Sequence, residues 1–325
     1  MKRTRMIIIV VLVALIVAFI GLLGYVKIAY PKVGKAEAIR IETNPAIIDH
    51  GKYLANSVFV CVDCHSKRDW TKFAGPLVVG SIGQGGEEFN QKLGFPGKYY
   101  AKNITPYGIQ DWTDGELLRA ISCGVNKKGK PLFPVMPYLN YGNLDRKDLY
   151  AIIAYLRTLP SIVNKVPNSE SDFPMNFIIN TIPHQAIYST IPDKNDKTAY
   201  GRYLITAASC SDCHTQQERG KPVRGMDFAG GFKFPLITGG IVTSANITPD
   251  LETGIGAWNE KAFVFRFKSY ADPKYVPATI GKEVFNSYMP WTMFGTMHPD
   301  DLEAIYTYLR TLKPVKNKIT KFIPD

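Results

Sequence analysis

The chain has 325 residues, of which 46% are hydrophobic and 12% aromatic, and its formal net charge is +11. Once the N-terminus is set aside, this length has room for two domains of roughly 130 residues. Residues 1–30 carry +4, residues 31–165 carry +6 and residues 166–325 carry +1. No basic helix or binding motif accompanies the charge, so we predict no nucleic-acid partner.

The N-terminal segment is predicted to be a membrane helix. Residues 6–26 form an almost uninterrupted apolar run of 21 residues, which at about 1.5 Å per residue spans the ~30 Å hydrocarbon core. Lys2, Arg3 and Arg5 precede the run, so the positive-inside rule keeps the start cytoplasmic. A cleaved signal peptide is the alternative, but the cleavage-like residues 36–38 lie well past the run. We therefore expect an uncleaved, single-pass anchor over residues 1–30.

Two copies of the pattern C-x-x-C-H carry the chemistry of the chain. They are Cys61, Cys64 and His65 in one copy, and Cys210, Cys213 and His214 in the other. Two thiols at this spacing form thioether bonds to the vinyl groups of one porphyrin, and the adjacent His then ligates the iron. The pattern predicts two covalently bound haems c, and it places the haem-bearing part outside the cytoplasm.

Zinc and a thioredoxin-like redox pair are the alternatives for these cysteines. The two pairs are 149 residues apart and neither has a neighbouring ligand cluster, whereas a zinc site needs four ligands together. A redox pair would open a helix after a βαβ pattern, which is missing here. Haem is therefore the favoured cofactor.

An internal repeat surrounds each pattern. It pairs Gly51-Lys52-Tyr53-Leu54 with Gly201-Arg202-Tyr203-Leu204, Asn103-Ile104-Thr105-Pro106 with Asn246-Ile247-Thr248-Pro249, and Tyr155-Leu156-Arg157 with Tyr308-Leu309-Arg310. The register predicts duplicate domains: an anchor over residues 1–30, domain 1 over 31–165, a packed linker over 166–198 and domain 2 over 199–325. The linker is too apolar for a free tether, so we expect it to pack across both domains.

Methionine supplies the expected second axial ligand of each iron. Met136-Pro137 and Met289-Pro290 occupy the same column of the repeat, each 19 residues before the Tyr of Tyr-Leu-Arg. A lone Met is more often core filler, but recurrence beside a haem motif favours Met136 and Met289 as ligands. Met293 and Met297 lie outside that column. The predicted metal ligands are therefore His65, Met136, His214 and Met289.

The predicted secondary structure is mainly helical. Leu149, Ile152, Ile153 and Leu156 recur at helical spacing after the first Met, as do Leu302, Ile305, Tyr306 and Leu309 after the second. Further helices are expected around residues 114–123 and 259–268, and few strands are expected.

Together these motifs resemble the cytochrome c subunits of membrane-bound bacterial alcohol and aldehyde dehydrogenases and their dihaem relatives, over residues 48–314. The resemblance implies an all-α architecture of two tandem class I cytochrome c-like domains with His/Met iron, in the bacterial inner membrane with the haem domains in the periplasm. It also implies a Pro carbonyl that orients each ligating His, and Pro76 and Pro235 are the candidates. Those subunits usually carry three haems, whereas this chain has two haem motifs, so the resemblance does not identify the partner protein of this chain.

We accordingly expect an electron-transfer protein and not an enzyme. It would relay electrons between a periplasmic dehydrogenase or quinol-oxidising complex and a downstream acceptor or oxidase, because iron with both axial positions filled has no vacant site for substrate. The alternative is a dihaem peroxidase or a thiosulfate-oxidising type of enzyme with one open or Cys-ligated haem, for which Cys123 is the spare thiol. A structural tether for a larger complex is the third possibility.

Overall fold

The computed structural model describes residues 2–218 and 220–325, and its body is mostly helical. One long helix, α1 (Lys2–Ala29), precedes that body and has none of its residues buried. Its most apolar window has a mean hydropathy of 3.5, so among the described residues it is the one helix long and apolar enough to cross a membrane. A membrane anchor and a signal sequence share these properties.

For description, residues 31–165 are called the first half of the body and residues 199–325 the second half. The helices of the first half are α2 (Pro45–Tyr53), α3 (Cys61–Cys64), α4 (Pro106–Ile109), α5 (Asp114–Cys123), α6 (Tyr138–Tyr141) and α7 (Arg146–Leu156), with a π-helical turn at Leu54–Val58 after α2. After α8 (Met175–Ile178) come α9 (Lys197–Ala207), α10 (Cys210–His214), α11 (Glu260–Lys268), α12 (Trp291–Phe294) and α13 (Pro299–Thr311).

Short antiparallel sheets supplement the helices, so the expectation of a mainly helical body is confirmed while the strands are more numerous than an all-α fold implies. The strands are β1 (Glu88–Phe89), β2 (Gly97–Tyr100), β3 (Glu170–Ser171), β4 (Gln217–Glu218), β5 (Lys221–Pro222), β6 (Lys233–Pro235), β7 (Ile241–Thr243) and β8 (Phe322–Ile323). They pair as β1-β2-β3, β4-β5 and β6-β7-β8. These strands are two to four residues long, too short for the alternation of side chains to be read from the sequence.

Local sequence explains where the predicted helices begin and end. Helix α5 starts with a capping box, in which Thr113 accepts a hydrogen bond from the Glu116 amide and the Glu116 carboxylate accepts one from the Thr113 amide. It stops at Gly124, whose φ of 72° lies in the left-handed region that ends helices. In α11 the side chain of Asn259 caps the first turn. The helices expected around residues 114–123 and 259–268 are therefore present.

A close crossing of two helices is built the same way in each half. Helix α2 packs on α7, and α9 packs on α13. A Cβ added at Gly51 would lie 1.8 Å from the carbonyl oxygen of Ala151, and one added at Gly201 would lie 1.9 Å from that of Ala304. The glycine of the repeated Gly-x-Tyr-Leu sequence is therefore required because the partner helix touches its backbone.

The two halves share one hydrophobic core and a reciprocal polar contact. Buried apolar residues of both halves form a single cluster. The Tyr203 hydroxyl of the second half donates to the carboxylate of Asp148 in the first, at 2.6 Å. The equivalent Tyr53 of the first half donates to Asp301 of the second. Such an exchange of equivalent residues is the pattern of a two-fold interface.

The linker lies along the first half. Strand β3 pairs with β2, the Ile187 amide donates to the Gly142 carbonyl at 2.8 Å, and the Ser189 amide donates to the Leu144 carbonyl at 3.3 Å. The linker also contacts the second half, because the Lys197 ammonium donates to the Glu303 carboxylate at 2.7 Å. That the linker packs across both domains stays a prediction, while its apolar side chains contact the first half and the end of α1.

Candidate functional site

The two C-x-x-C-H sequences adopt the same local structure. Each starts after a residue with left-handed backbone, Val60 at φ 47° and Ser209 at φ 52°, and then forms one turn of helix. Cysteines three positions apart lie on one face of such a turn. All four thiols of the two sequences are free.

The structure disfavours the zinc and redox alternatives for these cysteines. Burial raises the pKa of Cys61, Cys64 and Cys210 to about 12, whereas redox-active cysteines have lowered pKa values. The described residues also bring no three of His, Cys, Asp or Glu together as an ion site. Neutral, paired thiols suit thioether attachment.

Each histidine is held by a backbone carbonyl. The Nδ1 of His65 lies 2.6 Å from the carbonyl oxygen of Lys102, and the Nδ1 of His214 lies 2.8 Å from that of Ala245. Because a carbonyl oxygen only accepts, Nδ1 carries the proton in both rings, and Nε2 keeps its lone pair. Burial lowers the pKa of both imidazoles. Each ring is therefore a neutral ligand with a fixed tautomer and a free donor nitrogen.

The carbonyls that orient the histidines are not the proline carbonyls that the resemblance implied. The Pro76 oxygen accepts the Asp69 amide at 2.9 Å, and the Pro235 oxygen accepts the Tyr288 hydroxyl at 2.9 Å. The partners come instead from the residue before each Asn-Ile-Thr-Pro sequence. The sequence shows that this motif is repeated, but it does not show that the residue before the motif contacts a histidine 37 or 31 residues earlier in the chain.

Hydrogen bonds of the Asn-Ile-Thr-Pro sequence fix that carbonyl. In the first half, Asn103 Oδ1 accepts from the amide and the hydroxyl of Thr105, and its Nδ2 donates to the Ile162 carbonyl at 2.8 Å. In the second half, Asn246 makes the same two bonds to Thr248 and donates to the Val315 carbonyl at 2.7 Å. The motif thereby connects the histidine partner to the segment that follows α7 or α13.

A glycine donates a hydrogen bond to the backbone carbonyl of each histidine and packs against the same segment. The Gly85 amide donates to the His65 carbonyl at 2.9 Å, and the Gly230 amide donates to the His214 carbonyl at 2.7 Å. Both glycines have positive φ, and an added Cβ would lie 2.5 Å from the carbonyl carbon of Lys102 or of Ala245. Only glycine permits this approach.

Met136 and Met289 occupy equivalent loops, each immediately before a short helix that starts after a proline. Both are half-buried and contact the core cluster. The Met289 amide donates to the Ser287 hydroxyl at 3.0 Å, which fixes the backbone of its loop. By contrast, Met293 lies on α12 and Met297 is 1% exposed within the core. The burial of these two is that of packing residues.

Cys123 lies at the end of α5 and is buried. Its sulfur is 3.5 Å from the hydroxyl of Ser122, which in turn lies 2.8 Å from the Tyr188 hydroxyl. These neighbours account for the thiol as a packed residue of the helix.

The two attachment sequences meet at α6, a contact that sequence reasoning missed. The Tyr141 hydroxyl donates to the Phe59 carbonyl at 3.3 Å, just before the first sequence. The preceding residue, Asn140, donates to Ser209 at 3.1 Å and to Asp212 at 3.0 Å in the second sequence. Burial raises the pKa of Tyr141, so its hydroxyl stays protonated. No sequence signal predicts the contact that Tyr141 makes, because the equivalent residue in the second half is Phe294, which has no hydroxyl group.

The residues present fit haem c at both positions. Each half offers two free, neutral thiols on one helical turn, a half-buried imidazole with one nitrogen engaged, and a methionine loop against the core. This is the donor set of a covalently attached haem with His/Met iron.

Comparison with known proteins agrees with haem c as the cofactor. Residues 198–313 match the family model described as cytochrome c, so the chain contains a cytochrome c domain, and such a domain implies covalent haem c. The chain is 27% identical, over 299 residues, to the cytochrome c subunit of the quinone alcohol dehydrogenase of Gluconacetobacter polyoxogenes. It is 28% identical, over 305 residues, to the gluconate 2-dehydrogenase cytochrome c subunit of Pantoea cypripedii.

Each alignment covers 87% of this chain, but only 59% and 64% of those relatives, so the chain spans about three fifths of their length. A dihaem cytochrome c-type protein of Cereibacter sphaeroides is 26% identical over 167 residues, covering 48% of this chain and 53% of the relative. The first two relatives are cytochrome subunits of dehydrogenases, which transfer electrons rather than turn over the substrate. The chain is thus similar to electron-transfer subunits, and the predicted resemblance is confirmed.

Proposed function

We propose that the chain is a membrane-anchored dihaem cytochrome c that relays single electrons. One haem is attached to Cys61 and Cys64 and ligated by His65 and Met136. The other is attached to Cys210 and Cys213 and ligated by His214 and Met289. Residues 31–165 and 199–325 form tandem cytochrome c domains, with residues 166–198 as the linker.

The observation that carries this proposal is the duplication of the histidine site. The same carbonyl, Asn-Thr and glycine contacts surround His65 and His214, and the two attachment sequences converge on Asn140 and Tyr141. Bound haem supplies an iron that accepts and releases one electron. The protein contributes rigid placement of two such groups at one junction, which is what a relay inside a single chain requires.

The electron donor in this proposal is a periplasmic dehydrogenase or a quinol-oxidising complex, and the acceptor is a downstream carrier or oxidase. The similarity to cytochrome subunits of alcohol and gluconate dehydrogenases supports a dehydrogenase donor. Helix α1 supports attachment to the cytoplasmic membrane, with the haem domains on the periplasmic side. The neighbours of Cys123 favour packing, so the enzymatic alternative with a Cys-ligated haem gains no support.

Haem content tests the central part of the proposal. Expressed with a c-type maturation system, the full chain should show two haems by pyridine haemochrome, both still attached after denaturation. Replacing Cys210 and Cys213 with Ala should leave one haem, whereas Cys123→Ala should leave two. A wild-type protein that carries a single haem, or that releases its haem into acid solvent, contradicts the proposal.

Ligation tests the relay against the enzyme. Both haems should be low spin, with the weak long-wavelength Met–iron band in the oxidised protein, and neither should bind carbon monoxide. Met136→Ala and Met289→Ala should each open one haem and lower its potential, while Met293→Leu should do neither. Rapid carbon monoxide binding by the wild type would favour the enzyme instead.

A further inference from the structure

The outer end of α1 is held close to the first half. The Ile41 amide donates to the Asp114 carboxylate at 2.9 Å, and Glu37 pairs with Arg146 at 2.5 Å. Gly34 lies five positions after Ala29, and its carbonyl accepts from Arg119 at 3.4 Å. Five extended residues reach at most about 18 Å. A membrane that α1 crosses would therefore lie near this face of the body.

The segment around α8 lies against that same end of α1. The Lys27 ammonium is 4.7 Å from the ring centroid of Phe177, and Phe177 packs edge-on against Phe173 with centroids 6.2 Å apart. Two apolar side chains of this segment point to solvent, since Phe173 is 68% exposed and Ile178, the last residue of α8, is 45% exposed. An apolar surface thus continues from the anchor onto the body.

This surface belongs to the linker and is packed on the first half. The Asp172 amide, next to Phe173, donates to the Pro96 carbonyl at 3.0 Å. The preceding residues pair as β3 with β2, and Ile179 after α8 is buried. Its position on the first half is therefore set by tertiary contacts and not by a loose loop.

We propose that Phe173, Phe177 and Ile178 form a second membrane contact that lies in the interfacial layer of the bilayer and fixes the orientation of the first half. The apolar run of α1 ends at Val26, so Lys27 marks the depth at which hydrocarbon gives way to headgroups. Side chains that touch Lys27 lie at that depth, where aromatic rings are favoured. The inference rests on the proposed membrane anchoring.

Photochemical labelling by lipid tests this contact. The full-length holoprotein would be placed in nanodiscs of phosphatidylcholine and phosphatidylglycerol that contain a phospholipid with a diazirine near its headgroup. After irradiation, peptide mapping should find lipid adducts on residues 172–182 as well as on the outer end of α1. The peptide containing Phe265 on α11, which is 71% exposed, is the matched control and should remain unlabelled.

Variants separate this contact from the anchor itself. In Phe173→Ser/Ile178→Ser, labelling of residues 172–182 should fall to the level of the Phe265 peptide, while the protein stays in the membrane with both haems. Phe265→Ser should change nothing. Labelling of the α1 end without any label on residues 172–182 of the wild type would overturn the inference and leave the anchoring intact. A protein that washes off membranes in alkali would instead contradict the anchoring.

Discussion

Replacing Asn246 with Ala should weaken the second half and its haem site together. The side chain is 4% exposed and makes four hydrogen bonds, two to Thr248, one to Thr253 and one to the Val315 carbonyl. At about 1 kcal/mol net for each bond, with some replaced by water, the free energy of unfolding should fall by about 3 kcal/mol. The Ala245 carbonyl that holds His214 would also lose its support.

Urea unfolding of the holoprotein, followed by circular dichroism, measures the stability change, and a redox titration measures the two potentials. The potential of the second haem should shift while that of the first stays constant. Asn103→Ala should give the mirror result at the first haem. Asn143→Ala, an exposed asparagine that donates to the Leu139 carbonyl, should change stability by less than 1 kcal/mol. A loss below 1 kcal/mol for Asn246→Ala, with both potentials unchanged, would refute the reasoning.

Three further outcomes follow from the structure. Gly201→Ala should lower the unfolding free energy by about 3 kcal/mol, because its Cβ would lie 1.9 Å from the Ala304 carbonyl oxygen and force α9 and α13 apart; an unchanged denaturation midpoint would contradict that crossing. Asn286→Ala removes the acceptor of the Ala74 amide at the junction of the halves, 2.8 Å away, so stability should fall by about 2 kcal/mol and the Met–iron band of the second haem should weaken. Burial lowers the pKa of the unligated His65 ring below its ordinary 6.5, and iron on Nε2 would oppose protonation further, so the low-spin spectrum should stay unchanged at pH 6.5 and above; loss of that spectrum above pH 6.5 would contradict this.

Local signals were sufficient for much of the chain. The Cys and His spacing identified the cofactor chemistry, and the apolar run before Lys27 identified α1. Caps are local too, so Thr113 and Gly124 delimit α5 within its own sequence. The repeat showed which segments are equivalent, since both copies kept the same residues for the same local reasons.

The partners of the functional side chains were decided by tertiary structure. The carbonyls of Lys102 and Ala245 contact the histidines only because the Asn-Ile-Thr-Pro segments fold back against them. The contacting residues are 37 and 31 positions apart, and no local sequence pattern specifies the closure of loops that long. The proline carbonyls expected in that role lie elsewhere for the same reason.

The relation between the halves was likewise invisible in the sequence. Tyr53 and Tyr203 each find an aspartate of the opposite half, and Tyr141 reaches the first attachment sequence while Asn140 beside it bonds the second. A duplicated sequence specifies two similar units, but it carries no periodic signal for the surface on which they meet. That surface depends on shape and on buried polar groups finding partners, which only the packed chain provides.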